Sequence, residues 1–133
     1  MGAWSTEIFG NDTATDWVYG LEGATDLALI EEAIDSVLEN AGQMIAADQG
    51  CECLAACEAL ARQVGRPGSQ DSYSESLDEW VRATPLEPEE ELLERAGDAA
   101  RAILSANSEL AGLWDRDPEW IASVEGLIDR LSD

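Results

Sequence analysis

The chain has 133 residues, 29 of them Asp or Glu against seven basic residues, all Arg, giving a formal net charge of −22. With no Lys and no His, it lacks imidazole general bases, Ser–His and Cys–His nucleophile pairs, Schiff-base and P-loop lysines, and every His-containing metal site. Direct nucleic-acid binding is set aside too, because a phosphate backbone would meet net repulsion. The 45% hydrophobic content argues for a folded chain, and the length suits one domain over residues 1–133.

Helical periodicity recurs along the chain and period-2 alternation is nearly absent. Ala14, Trp17, Val18 and Leu21 form the first apolar stripe, after the capping candidates Asn11 and Asp12, and Gly20 and Gly23 should end that helix. A second helix is expected from about Thr25 or Asp26 to Ala41. Its stripe runs Leu27, Ile30, Ala33, Ile34, Val37, Leu38 and Ala41, with Glu31, Glu32, Asp35 and Glu39 opposite. A third helix, about 49–64, presents Cys53, Leu54, Cys57, Leu60, Ala61 and Val64 on one face, with Ala55, Ala56 and Ala59 permitting close packing elsewhere. Gly65 to Gln70 reads as a loop.

A short helix at about 75–83 offers Leu77, Trp80 and Val81. The next should begin with Pro88 at its first position and run to about Ala106, with Glu89 to Glu91 in the turn where the helix dipole favours anions. Asn107-Ser108 reads as the cap of a short helix ending near Trp114. Asp117-Pro118-Glu119 opens the last helix, with Trp120, Ile121, Val124, Leu127, Ile128 and Leu131 as its stripe. The expected fold is all-α: a compact single-domain bundle of five to seven helices with a packed N-terminal arm. No segment is long and apolar enough to cross a membrane, and no basic–apolar leader is visible, so the expectation is a cytoplasmic protein with no membrane partner. Its oligomeric state is not legible.

The string Met1-Gly2-Ala3-Trp4, followed by Phe9, Asn11-Asp12, Ala14 and Asp16-Trp17, is not dictated by helix formation alone. It resembles the start of a bacterial family of unknown function, DUF4259. Leu60-Ala61 through Gly65-Arg66-Pro67 looks like that family's Ala-rich helix and terminating loop. Ser108-Glu109-Leu110 with Leu113-Trp114 looks like its Ser-Glu-Leu-x-x-Leu-Trp element, followed by a Trp and a closing Leu-rich helix. Ser5 stands where the family usually has Gly, and Cys51, Cys53 and Cys57 replace small or aliphatic residues. The resemblance implies a small domain and no particular activity.

Two constellations stand out. Glu31, Asp35 and Glu39 place a carboxylate every ~6 Å along one ridge, which with Glu32 could meet a basic protein partner. The competing reading is an acidic face that serves only solubility, or that reflects salt or genome adaptation. The second is the motif set Trp4, Phe9, Asn11, Asp12, Asp16, Trp17, Ser108, Glu109 and Trp114, with either a structural or a ligand role. In the structural reading Trp4 and Phe9 plug the bundle while Asn11 or Asp12 caps the first helix. In the other, Trp4, Asp16 and Trp17 surround a ligand.

No metal site and no cofactor are expected: calcium-loop spacing fails at Pro118, and the three Cys read as buried thiols. No catalytic residue is assigned, although carboxylate pairs leave an acid–base enzyme formally open. The leading functional reading is a non-enzymatic acidic interaction module for a basic protein. An immunity protein and a nucleic-acid-mimicking inhibitor are its specific versions. A small-ligand or cation-binding domain using the Trp-containing N-terminal site is the alternative.

A net charge of −22 repels itself across a folded surface, and 0.15 M salt shortens the screening length to ~8 Å. The melting temperature should therefore rise monotonically with added salt up to moderate concentration. A scan that is flat, or falls, would show that ion pairs within the molecule outweigh the excess charge.

Overall fold

A computed structural model describes residues 12–40, 42–68, 74–105 and 107–132. Among these the chain forms seven helices: α1 (Asp12–Leu21), α2 (Ala28–Glu39), α3 (Ala47–Gln63), α4 (Glu75–Ala83), α5 (Glu90–Ile103), α6 (Glu109–Leu113) and α7 (Pro118–Ser132). The expected all-α bundle is what forms. The only β-type pairing among the described residues is a single bridge between Ile45 and Ser108. The N-terminal arm with Trp4, Phe9 and Asn11 lies outside the described residues.

The bundle is organised around α3, which packs against each of the other six helices. Its sequence explains why. From Gly50 to Arg62 every residue but Glu52 is buried, and most are Gly, Ala or Cys. Small side chains let neighbouring backbones approach from several directions at once. At Gly50, an added Cβ would stand 3.3 Å from a Leu110 methyl, so glycine is what allows α6 to close against this end of α3. The helix expected to present one apolar face, with alanines permitting close packing elsewhere, is thus buried on nearly all its faces. Around α3, α2 packs on α5 and α5 on α7, while α1 meets α4 on another side.

The other stripes fall where periodicity put them. Ala14, Val18 and Leu21 of α1, Ile30, Ile34 and Val37 of α2, Leu77 and Trp80 of α4, and Trp120, Val124, Leu127, Ile128 and Leu131 of α7 are buried. The helix ends differ, each for a visible reason. α2 starts later than expected because Asp26 accepts a hydrogen bond from Ala28 N (3.0 Å) and forms a turn ahead of it. Its far end stops at Asn40, beyond which Gly42 adopts φ +89°.

Pro88 is not the first residue of α5. Gln63 clamps the preceding segment, accepting from Leu86 N (2.8 Å) and donating to Thr84 O (2.9 Å), and Glu89 remains extended as the N-cap. At the other end, α5 closes at Ile103, short of Ala106.

The loop before α3 and the start of α6 are tied together. Ile45 N donates to Asn107 O and Glu109 N to Ile45 O, both at 2.9 Å. Ser108 caps α6 by accepting from Ala111 N (3.2 Å). The Glu109 carboxylate reaches across to accept from Ala47 N, the first residue of α3, at 2.7 Å. Gln49 completes that helix start, accepting from Ala46 N (3.1 Å) and donating to Ser36 Oγ (2.8 Å).

Because Ser108 is buried and its hydroxyl satisfies a helix-start amide, Ser108→Ala should cost about 1–2 kcal/mol in denaturant unfolding. Ser108→Asp should recover most of the loss if the cap, rather than packing, is what matters.

Candidate functional site

The four carboxylates expected to form a ridge do share α2, but their surroundings divide them. Arg95 of α5 reaches between two, donating from Nη1 to Asp35 Oδ1 at 2.6 Å and from Nη2 to Glu31 Oε1 at 3.2 Å. Its Nε lies 3.8 Å from Glu91 Oε1. Burial works against the Arg95 charge. Asp35 first, then Glu31 and Glu91, outweigh it and hold the guanidinium above its ordinary pKa. Glu32 and Glu39 are exposed and outside this cluster. The ridge is therefore two open carboxylates beside two that share a cation, with one positive charge set among Glu31, Asp35 and Glu91.

A second charged cluster lies inside the bundle, and sequence reasoning missed it. The Glu58 side chain on α3 is 2% exposed. Arg130 of α7 holds it with a two-pronged contact, Nη1 to Oε1 at 2.7 Å and Nη2 to Oε2 at 2.8 Å. Gly68 N donates to the same Oε1 at 2.9 Å, and Arg62 Nε stands 3.4 Å away. Arg62 in turn donates to Asp78 Oδ1 of α4 (2.7 Å), whose other oxygen accepts from Ser74 Oγ (3.1 Å). Arg66 donates to the carbonyl of Arg130 (2.9 Å), and Arg130 donates back to the carbonyl of Arg66 (3.2 Å). This chain of charges ties α3, α4, α7 and the 65–68 loop together. Its carboxylates are engaged by cations and amides, which fits a structural clamp better than an acid–base pair awaiting substrate. The signal was present in the sequence: an i, i+4 Glu–Arg pair embedded in a run of small, apolar residues.

Several motif residues find structural work. Ser108 and Glu109 cap two different helices, as described above. Trp17 and Trp114 are partly buried against the core. Asp12 opens α1 and Asp16 follows one turn later, both exposed. The Asp12 carbonyl accepts from Thr15 Oγ1 at 3.0 Å. Trp4, Phe9 and Asn11 lie outside the described residues, so of the alternative ligand site only Asp16 and Trp17 belong to this geometry.

The three thiols are free and buried. Burial, followed by the charges of Asp48 and Glu52, pushes the Cys51 thiol up to about 11. Cys57, which donates to Ala96 O at 3.5 Å, is raised well above the ordinary thiol range by its contact with Cys53 and by burial. Cys51 and Cys57, so placed, stay protonated near neutrality and are poorly suited to nucleophilic or metal chemistry. Among the described residues no group of three or more His, Cys, Asp or Glu is arranged to hold a metal ion, and no helix is long and apolar enough to cross a membrane.

A protein-family model described as a domain of unknown function, DUF4259, matches residues 2–124. No curated protein and no solved structure matches the chain.

The interior cluster makes a sharp prediction. Glu58→Gln keeps the volume but leaves Arg130 and Arg62 without their shared anion, and removing one partner of a buried pair costs roughly 3–5 kcal/mol. Gly68→Ala should also destabilise, since its Cβ would lie 2.9 Å from Arg130 Nη2 and 3.0 Å from Glu58 Oε1. Urea unfolding of both variants checks this. Wild-type midpoints would mean that the clamp adds no net stability.

Proposed function

The chain belongs to the DUF4259 family, and on that premise we propose that it is a non-enzymatic interaction module that engages a basic protein surface. The observation that supports this is the fate of its cations. Arg62, Arg66 and Arg130 belong to the interior network. Arg95 is set between α2 and α5. Arg101 pairs with Asp98 at 3.2 Å, and Arg116 donates to the Leu104 carbonyl at 3.0 Å. Six of the seven arginines are thus engaged within the molecule, and the surface offered to a partner is overwhelmingly carboxylate. Such a surface favours encounter with a positive one and repels anionic polymers. An immunity protein and a nucleic-acid mimic are the two specific forms of this reading, and competition by DNA for the partner would separate them.

The α2 ridge is the proposed contact, with Glu32 and Glu39 as its clean probes. Neutralising Glu31 or Asp35 would also strip Arg95 of its counter-ions and mix a structural effect with a binding one. The expected result is that Glu32→Gln/Glu39→Gln leaves the melting temperature within a few degrees of wild type. Affinity for a partner captured from the native cell extract should fall severalfold, chiefly through slower association, and the difference should shrink as salt is raised. A partner held equally by both forms, with the same salt dependence, would remove the ridge from the interface. A captured partner with an acidic surface would overturn the module reading itself.

A further inference from the structure

α5 has a second exposed side. Where it runs beside the end of α7, the two helices leave a groove of about 450 Å3, which falls in the range of small-ligand and side-chain pockets. Its floor is Leu93, Gly97 and Leu131. The space above Gly97 is free: a Cβ built there would meet nothing within 4 Å except Arg101 Nη1 at 3.6 Å, so a larger side chain could grow into the groove. Along its rim stand Glu90, Glu94 and Asp98, spaced four residues apart and so ~6 Å apart along one line of the helix. Of the two arginines in the lining, Arg101 pairs with Asp98, while Arg66 donates to the Arg130 carbonyl. Glu90 and Glu94 are exposed and face the groove with no such counter-ion.

We propose that this groove seats a short basic segment of the partner, with an Arg or Lys side chain laid along it. The inference rests on the module reading above and gives it a second, shaped contact. The chemistry matches along the length of such a side chain. Its methylene stem would lie over Leu93, Gly97 and Leu131, and its charged head would reach Glu90 and Glu94. The outer face of α5, carrying Glu91 on the α2 side and Glu94 and Asp98 toward α7, joins the groove to the α2 ridge, so one basic surface could cover both.

The test uses a hexa-arginine amide titrated into the full chain by calorimetry, with amide shifts followed by nuclear magnetic resonance. Gly97→Leu fills the groove without changing the net charge, and replacing a helix-interior glycine should leave the melting temperature no lower. Affinity should fall at least tenfold in Gly97→Leu and remain near wild type in Gly97→Ala, with wild-type shifts centred on Leu93, Gly97 and Leu131. Should Gly97→Leu fail to fold, Glu90→Gln/Glu94→Gln serves instead and should weaken binding more than the charge-matched Glu32→Gln/Glu39→Gln. Equal affinities for Gly97→Leu and wild type, or equal effects of the two charge-matched pairs, would overturn the groove. So would a wild-type chain that fails to bind the peptide. The module reading is decided separately, by the character of the captured partner.

Discussion

A helix with neighbours on every side has no solvent face on which to place a charge, and α3 carries two charges where it is enclosed. Glu58 and Arg62 are 2% and 5% exposed. Left alone, either would oppose folding by several kcal/mol. The surrounding elements are arranged to meet them: α7 brings Arg130, α4 brings Asp78, and the chain leaving α3 turns back so that Gly68 N can donate to Glu58. Greasy packing alone tolerates sliding between helices. A two-pronged guanidinium–carboxylate contact does not, because its bonds are directional. In this bundle it fixes where α7 lies along α3.

The same residues divide the molecule electrostatically. Arg62, Arg95 and Arg130 are drawn into pairs between helices, and apart from Glu58 and Asp78 most carboxylates remain outside. An acidic composition spread over a surface carries little directional information. What gives it shape here is packing: Arg95 neutralises one end of the α2 ridge, and the α5–α7 groove concentrates carboxylates around an apolar floor. The proposed contacts follow from where the few positive charges went, rather than from where the many negative ones are.

The helices are legible because apolar spacing marks each of them, and capping chemistry adds to it at α6. α4 runs over the residues its stripe delimited, Ser108 caps α6 as its position suggested, and Pro118 opens α7. Three things were not legible. Periodicity picks out one apolar face of α3 and small residues permit packing on others, but neither shows that Glu58 and Arg62 are enclosed with them. Helix starts held by distant side chains, such as Gln63 on the segment before α5, leave no trace in local sequence. The pairing of Glu58 with Arg130 spans 72 positions and needs the fold to reveal it. The site readings suffered for the same reason: Glu31 and Asp35 looked free until α5 placed Arg95 between them.

The position of the three cysteines has a consequence for how this molecule ages. All sit buried on the innermost helix, and Cys51 and Cys57 are raised toward the protonated form. Oxidants react with thiolates they can reach. In the closed bundle burial denies them access, so damage must wait for openings large enough to release α3. Since α3 touches every other helix, such an opening approaches unfolding of the whole. The thiols therefore act as an internal clock: their rate of oxidation, or of capture by any thiol reagent, counts the excursions the entire bundle makes.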